Sequence, residues 1–583
     1  MFVRITKAPG GVEYVHTVEG YRDERGKSKQ RIVTSHGKLA DLLVEDPNAL
    51  VKLKEQVKAA DGERAAGKGV IAYDTSAPWD GQCPANVGWL LADGVLSRLG
   101  APGVMGRGIP GEVLRLLVCS RVVWPCSKIK AWERQEQLFA GPKVADWHDV
   151  YDALDGIAAL ASELQKAAAA SLERSARALA TVDYDVTNYF FAIDHDDPDP
   201  VGKDGARGQA SRQRGHSKES RPNPIIQMGL FTDGDGIPIG YRLFDGNVPD
   251  VSTLAVALPE FRATFHPGRI VVVGDKAMNT AGNLGMLHQQ GDGWIVSTTV
   301  RSGKKEFQDW ATSPDGWTIT SRAEDGTVTS KIKSRLVTKT VPHEEHGVKG
   351  LPVEVSERQI VRWSADSVAR DQANRADMLA KAAHLADNPA RLKASKHRGV
   401  LKYIIEDHVD PATGEIRQDT TIAHIDQDRA DAEARFDGYQ ALRTSETDLP
   451  ATAIIDRYRQ LWRIEETFKV SKTGGLDTRP VYVRTRTHIE AHFTICFLAL
   501  LITRLLQRWT GLPATRLLTA LRAATATPVA PGIYRMTRTP DWTTIDTATR
   551  VPLNQSWAKI NQLRDWHRNL TKTAQTTQYT TPQ

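Results

Sequence analysis

The hydrophobic pattern changes its period at Thr181, and this change constrains the fold more than any other feature of the chain. Before it, residues 87–180 carry apolar residues at the three- to four-residue spacing of helices. From Thr181 the segment TVDYDVTNYFFAI alternates between apolar and polar residues, as a strand does. Two further strand patterns, NPIIQMGLFT and IPIGYRLFDG, are joined by the turn residues Asp233–Gly236. The chain therefore passes from a helical region into a sheet.

A helix and a buried strand follow these three strands. A helical pattern runs from Asp250 through Phe265, and RIVVVGD is a continuous apolar run that ends in Asp275. Such a run is typical of a central strand that is buried on both faces. A second helix (NTAGNLGMLHQQ) and another strand (GWIVSTTV) complete the set. This order predicts an α/β fold with a ribonuclease-H-like core.

The rest of the chain divides by composition and pattern. We predict a small β-rich region at 1–60, a helical domain at 61–180, core segments at 181–302 and 451–510, a β-rich insertion domain at 303–450, and a C-terminal region at 511–583 whose last fifteen residues form a disordered tail. Within the helical domain Ser127 is a candidate N-cap of a basic helix. Both a helix-turn-helix that binds DNA and an ordinary helical bundle fit this domain.

Composition is that of a globular protein and is only mildly basic. The 583 residues are 40% hydrophobic and 25% charged, with a net charge of +6 and a pI near 8.9. This charge is compatible with nucleic acid binding but does not require it. Four scattered cysteines exclude a disulfide framework and a cysteine zinc site, and they favour a reducing cytoplasm. The first residues show no signal-peptide pattern, and the apolar run 493–502 is too short to span a bilayer.

Glu465 lies on the predicted inward face of an amphipathic helix over residues 454–472 (IIDRYRQLWRIEETFKVSK). Tyr458, Glu465 and Lys472 are seven residues apart, so they share one line along that helix. A carboxylate on an inward face is costly unless it is paired or bound to a metal ion. An ion pair with Lys469 or Lys472 is the simpler alternative.

Three acids occupy positions where chemistry is possible: Asp185 in the first strand, Asp275 at the end of the buried strand, and Glu465. Ordinary explanations are a solvent-facing strand residue, a cap residue and a paired charge. Together the three fit phosphodiester chemistry with two divalent ions, which need oxygen ligands. Without such ions the clustered acids would repel one another.

The segments YDVTNYFF, IVVVGDKAMNT and YRQLWRIEETFKVSK carry these acids, and PIIQMGLFTDGDGIPIGYRLFDGN and FDGYQALRTS accompany them. In these motifs the chain resembles the DDE transposases of bacterial insertion sequences. The resemblance is to the superfamily with a Tyr–Arg–Glu–Lys signature, of the insertion sequence 4 type, and more narrowly to a subgroup with long insertions. It covers roughly residues 85–510. One position departs from the signature, because Leu461 stands where the family has arginine.

This resemblance implies a DNA transposase that cleaves element ends and transfers the strand. Asp185, Asp275 and Glu465 would be the catalytic residues and would bind two Mg²⁺ or Mn²⁺ ions. Tyr458 and Lys472 would hold a DNA phosphate, and Arg459 or Arg463 would replace the missing arginine. The implied partners are terminal inverted repeats and target DNA, held by a homodimer in the bacterial cytoplasm and nucleoid, with no membrane.

The loop after the first strand is a second candidate DNA-binding segment. Lys203–Arg221 contains six Lys or Arg residues against two acids, a net charge of +4, and it lies beside Asp185. Its predicted DNA-binding residues are Arg212, Arg214, Lys218 and Arg221. A solvated surface loop is the alternative.

Two other functions remain open at this level. The chain could be a catalytically inactive or domesticated transposase that only binds DNA, or a ribonuclease-H-like nuclease without strand transfer. Intact acids at all three positions favour the active transposase, whereas Leu461 favours the inactive protein.

Overall fold

A computed structural model describes residues 1–22, 27–66, 83–173, 181–197, 212–219, 221–342, 344–345, 348–387, 398–407, 422–472, 474–553 and 556–572. The chain divides into two compact units, Met1–Ala77 and Pro78–Gln583. The finer boundaries that we predict at residues 60, 180, 302, 450 and 510 stay predictions.

The first unit is an antiparallel sheet followed by helices. Strands β1 (Phe2–Lys7), β2 (Glu13–Arg22) and β3 (Ser28–Lys38) pair in the order β1-β2-β3, where the alternating runs predict them. Helices α1 (Leu39–Glu45) and α2 (Ala49–Ala66) follow within the region predicted as β-rich. The helical spacing of Leu50, Leu53 and Val57 is the signal that indicates the second helix.

The second unit begins with a short strand and a group of packed helices. These elements are β4 (Ala85–Asn86), α3 (Gly88–Arg98), α4 (Ala101–Met105), α5 (Ile109–Val123), α6 (Lys128–Glu133), α7 (Trp147–Ala159) and α8 (Ala161–Glu173). Ser127 caps α6 as predicted, since its side chain accepts a hydrogen bond from Lys130 N. A core of apolar residues from α3, α5 and α7 holds this group together.

The predicted order of strands and helices after Thr181 is confirmed. It comprises β5 (Thr181–Phe190), β6 (Ile225–Asp233), β7 (Pro238–Asp245), α9 (Asp250–Phe265), β8 (Val271–Gly274), α10 (Ala281–Gln289) and β9 (Gly293–Thr298). Strands β5, β6 and β7 are antiparallel, whereas β8 is parallel to β5 and β9 is parallel to β8. The result is a large mixed sheet, consistent with a ribonuclease-H-like core.

Residues 303–450 extend this sheet at its β9 edge. Their elements are α11 (Lys305–Thr312), β10 (Thr318–Arg322), β11 (Val328–Val341), β12 (Glu344–Glu345), β13 (Val348–Lys349), β14 (Val353–Ser364), α12 (Ala365–Ala386), α13 (Arg398–Leu401), β15 (Ile404–Asp407), β16 (Ile422–Ile425), α14 (Gln427–Ala434) and β17 (Tyr439–Thr444). The sheet has nine strands in the order β10-β11-β14-β17-β9-β8-β5-β6-β7. The predicted insertion is therefore continuous with the core sheet.

The residues predicted as one helix over 454–472 form two helices. Helix α15 is Ala451–Arg459 and α16 is Trp462–Lys472. Between them Leu461 N bonds to the Tyr458 carbonyl at 3.0 Å, three residues back, so the helix axis is interrupted at residues 460–461. The prediction of a continuous helix is wrong at this turn.

Helix α17 (Arg486–Thr510) is the central helix of the core. By length and composition it could cross a membrane, but 94% of its apolar segment is buried inside the protein. It packs against α5 and α7. Apolar residues of β6 and β9 belong to the same core, while α9 and α10 cover the opposite face of the sheet.

The last elements of the chain lie beside the first strand of the second unit. They are α18 (Ala514–Ala523), β18 (Thr525–Ala530), β19 (Ile533–Thr537), α19 (Trp542–Thr549), β20 (Trp557–Lys559) and α20 (Ile560–Lys572). They form a second sheet with β4, in the order β20-β19-β18-β4. Of the predicted disordered tail, residues 569–572 belong to α20 and residues 573–583 lie outside the described residues.

Candidate active site

The register of the sheet brings Asp185 and Asp275 together. Strands β5 and β8 are parallel, with Thr181 opposite Val271 and Asp183 opposite Val273. Two residues further along, Asp185 is level with Asp275, which directly follows β8. Asp275 therefore lies at the carboxyl end of β8, where ligand sites form in α/β sheets, and Asp185 lies beside it within β5.

Asp185 is mostly buried, and both positive and negative side chains influence its pKa. Its side chain is 20% exposed and accepts a hydrogen bond from Val186 N at 2.7 Å. Burial raises the pKa of Asp185 to about 6, the Lys218 ammonium opposes that rise, and the charges of Asp275 and Glu465 add to it. All three predicted acids therefore contribute to one electrostatic environment.

Asp275 has a second, structural role. Its side chain caps the short 3₁₀ helix Lys276–Met278 by accepting a hydrogen bond from Ala277 N at 2.8 Å. Asp275 is therefore a cap residue, as one explanation of this acid proposed, and it also lies beside Asp185. Because the cap uses Oδ1, it fixes the orientation of the carboxylate before any ligand is bound.

Glu465 is exposed, which corrects the prediction of an inward-facing carboxylate. It lies in the first turn of α16, after the interruption, where Trp462 is also 55% exposed. The turn at residues 460–461 changes the rotation of the second helix, so a spacing of seven residues no longer keeps Tyr458 and Glu465 in line. Glu465 still acts on the pKa of Asp185, so it borders the carboxylate pair from the solvent side.

Tyr458 lies among the three acids. Burial raises the pKa of its hydroxyl, a hydrogen bond with Ser297 of β9 lowers it, and the charges of Asp275, Glu465 and Asp185 raise it further. A neutral tyrosine hydroxyl can donate a hydrogen bond to a phosphate oxygen. Its role next to the cleaved bond stays a prediction.

Lys472 is also within electrostatic reach of Asp185. Its side chain is 12% exposed, and its amino group lies 3.6 Å from Oε1 of Glu219. Burial and the neighbouring charge of Lys218 lower the pKa of Lys472 to about 8, although the charge of Asp185 opposes the shift. A lysine with this pKa is still mainly protonated at neutral pH and can hold an anion.

Lys218, predicted to bind DNA, contacts the carboxylates. Its Nζ lies 3.8 Å from Asp185 Oδ1 and 3.8 Å from Asp250 Oδ2, and it donates a hydrogen bond to the Val186 carbonyl. Asp250, in the first turn of α9, is a site residue that the sequence reading missed. Its position directly after the turn that follows β7 was the available signal.

The arginines of the predicted signature helix point elsewhere. Arg463 donates to the Gly234 carbonyl at 2.8 Å and to Asp235 Oδ1 at 3.0 Å, so it fixes the turn after β6. Arg459 is 54% exposed and pairs with Asp456. The structure brings neither to the acids, and the prediction that one of them replaces the missing arginine has no support in these contacts.

The other basic residues of the loop after β5 are engaged within the loop and its neighbours. Arg212 makes a two-bond ion pair with Asp197, and Arg214 donates to backbone carbonyls. Arg221 stacks over the Phe190 ring at 4.2 Å. The part of the loop at 203–211 lies outside the described residues.

A buried ion pair lies next to the candidate active site. Arg457 of α15 donates to Asp183 Oδ1 at 2.6 Å, and the Asp183 side chain is fully buried. Burial raises the pKa of Asp183 to about 6, although Arg457 opposes the shift. The pair joins α15 to β5 two residues before Asp185. The Asp-x-Asp alternation in β5 was the sequence signal for it.

The donor set suits hard divalent cations, which take carboxylate oxygens as ligands. The observation that favours such ions is the raised pKa of Asp185, which is caused first by burial and also by the charges of Asp275 and Glu465, because a cation would stabilise the charged carboxylate. Among the described residues, no group of three or more His, Cys, Asp or Glu side chains is already gathered tightly enough to hold a metal ion. The acids fit the ions in type and charge and would need to converge on binding.

Comparison with known families identifies the same region. A family model described as a transposase DDE domain matches residues 197–502, just over half of the chain. The match includes Asp275, Glu465 and Lys472, and Asp185 precedes it. No curated protein matches the chain.

The solved structures that match include a distant relative in shape. It is a cryo-EM structure of a piggyBac transposase synaptic complex with hairpin DNA, at 8% sequence identity and a TM-score of 0.32. The match covers 83% of this chain and 72% of the other. A score of this size is too low to establish a common fold.

Proposed function

Because the chain belongs to the transposase DDE domain family, we propose that it is a cut-and-paste transposase with a ribonuclease-H-like core. It would cleave DNA at the ends of its mobile element and join the freed strand to target DNA. The observation that carries this proposal is that Asp185 and Asp275 lie on adjacent parallel strands, two residues beyond the pair Asp183–Val273, and that Asp275 and Glu465 both raise the pKa of Asp185.

Each step forms one phosphorus–oxygen bond and breaks another: end cleavage hydrolyses a phosphodiester, and strand transfer exchanges one phosphodiester for another. In end cleavage a water oxygen bonds to phosphorus, the bond from phosphorus to the 3′ oxygen breaks, and a 3′-hydroxyl and a 5′-phosphate remain. In strand transfer that 3′ oxygen attacks a target phosphorus, and the target 3′ oxygen leaves with a proton. Both steps are in-line displacements that need charge stabilisation on the attacking and leaving oxygens.

The residues that would hold two Mg²⁺ or Mn²⁺ ions are Asp185, Asp275 and Glu465. When bound, these ions supply activation of the attacking oxygen and stabilisation of the leaving oxygen. The chain itself contributes position and charge. Tyr458 would donate a hydrogen bond to a phosphate oxygen, and Lys472 would supply a positive charge beside it.

The proposed partners are terminal inverted repeats and target DNA, brought together by a homodimer in the bacterial cytoplasm and nucleoid. Transposition that joins two ends to one target needs two active sites close together, which a dimer provides. The net charge of the chain, +6, is compatible with binding to DNA.

The proposal is tested with DNA that flanks the reading frame in its genome. A linear fragment with both flanking ends is mixed with the protein, a supercoiled target plasmid and Mg²⁺. We expect strand breaks at the ends and fragments joined to the plasmid through their 3′ oxygens. Breaks without joined products would indicate a nuclease, and tight binding without breaks would indicate an inactive DNA-binding protein.

The pKa of Lys472 predicts how DNA affinity depends on pH. It is lowered to about 8, so as pH rises from 7 to 9.5 the residue loses its proton and its charge. Loss of one phosphate contact should weaken binding by about tenfold near 0.1 M salt. The measurement is fluorescence anisotropy of a labelled duplex in EDTA. Lys472→Arg stays charged throughout, so its affinity should be flatter across this range, and equal curves for both proteins would contradict the prediction.

A further inference from the structure

Three cations surround the Glu219 carboxylate next to the proposed active site. Lys472 Nζ lies 3.6 Å from Oε1, and Arg479 donates a hydrogen bond through Nη1 to the same oxygen. On the other side Arg221 Nε lies 3.5 Å from Oε2. One carboxylate thus faces three positive side chains, so the cluster has an excess of positive charge.

The two inner cations are poorly hydrated. The side chain of Arg479 is 20% exposed and that of Lys472 is 12% exposed. Burial lowers the pKa of both groups, that of Lys472 to about 8. Cations with little water around them gain more from a bound anion than exposed ones do. A phosphodiester carries one negative charge on two oxygens, as a carboxylate does, so the two anions are alternatives for the same place.

Lys218, the residue before Glu219, has the opposite arrangement, because its positive charge faces acidic side chains. Lys218 places its ammonium group near Asp185 and Asp250, at 3.8 Å from each. Two consecutive residues of one loop therefore place a cation against the acids and an anion against the basic cluster. The acids and the basic cluster of the proposed active site are thus each paired with a side chain of opposite charge from this loop.

The loss of the signature arginine fits the same cluster. Leu461 is only 9% exposed and contributes to the apolar core, so no side chain at that position reaches a phosphate. Arg479 lies in the connection between α16 and α17, seven residues after Lys472. It brings a guanidinium to the anion that Lys472 contacts.

We propose that Lys472 and Arg479 form the binding site for one DNA backbone phosphate, and that Glu219 occupies this site until DNA displaces it. This inference rests on the proposed function, because it assumes that DNA is the substrate. Arg479 takes the part of the arginine that is missing at Leu461.

The test measures binding without catalysis. A labelled 30-base-pair duplex of mixed sequence is titrated in EDTA at several salt concentrations. Arg479→Gln should bind several-fold more weakly, and the slope of log affinity against log salt should fall by about 0.9, the value for one phosphate contact. Glu219→Gln should bind several-fold more tightly, because no carboxylate then competes with the phosphate.

Matched controls remove the same charges elsewhere. Arg568→Gln and Asp377→Asn each lose one member of an exposed ion pair, with Asp565 and Lys381, and should leave affinity within twofold. If Arg479→Gln fails to fold, Arg479→Lys keeps the charge and should keep the salt slope.

The outcomes separate this inference from the proposed function. An unchanged slope in Arg479→Gln, or weaker binding by Glu219→Gln, overturns the phosphate site even if the wild-type protein cleaves and joins DNA. If both variants change affinity as expected but the wild-type protein never cleaves DNA, the phosphate site stands and the proposed transposase activity is overturned.

Discussion

Replacing Asp185 with asparagine is expected to reduce Mg²⁺-dependent cleavage of element ends by about 10³-fold, or about 4 kcal/mol in transition-state free energy. Asparagine has the same shape but only one strong acceptor oxygen and no charge, so it cannot hold a divalent ion as a carboxylate does. Asp185 lies level with Asp275 and shares its environment with Glu465, so its loss affects the whole cluster. The measurement is the initial rate of nicking on an end-containing duplex.

Binding should survive this substitution. Removal of a negative charge beside Lys218 and Lys472 leaves the basic side of the site intact, so duplex affinity in EDTA should be equal to or higher than wild type. Asp456→Asn is the matched control, because Asp456 is exposed and pairs only at the surface with Arg459. Nicking by Asp185→Asn at more than a tenth of the wild-type rate would remove Asp185 from the proposed metal site.

The pairing of Asp185 with Asp275 is predictable from sequence because strand periodicity is local. Alternation in TVDYDVTNYFF fixes which residues share a face, and the apolar run before Asp275 identifies a buried neighbouring strand. Parallel pairing of these two strands then makes the acids neighbours.

The turn before Glu465 could not be predicted in the same way. The apolar spacing of residues 454–472 suits one helix, and no glycine or proline marks a break. The interruption at 460–461 depends on tertiary packing: Leu461 enters the core, and Arg463 and Thr467 of the second helix bond to the turn after β6. An exposed Glu465 is the consequence.

The contacts of Lys218 and Glu219 could not be predicted from the sequence either. The sequence of a loop without hydrophobic periodicity shows its charge but does not show where its side chains lie. The net charge of +4 therefore suggested a segment that faces DNA. The structure instead turns these two residues onto the acids and the basic cluster. Long-range ion pairs of this kind depend on how the loop packs, which no local pattern encodes.

Arg443→Met is expected to lower the free energy of unfolding by about 3–5 kcal/mol, the cost of leaving a buried charge without its partner. Glu357 of β14 is fully buried, and Arg443 of β17 donates to both of its carboxylate oxygens. The same guanidinium donates to Asn279 Oδ1 at 2.8 Å, in the segment that follows Asp275. The pair therefore stabilises the extended sheet and holds the segment next to the candidate active site.

Urea denaturation of three variants distinguishes a desolvated charge from a general loss of packing. Arg443→Met leaves Glu357 unpaired, whereas the double variant Arg443→Met/Glu357→Leu removes both charges and should recover most of the lost stability. Arg459→Met, at an exposed ion pair on α15, should cost less than about 1 kcal/mol. If the double variant were as unstable as Arg443→Met, packing rather than the buried carboxylate would be the cause. Because both variants lose the bond to Asn279, both should also cleave DNA more slowly, even where the double variant is stable.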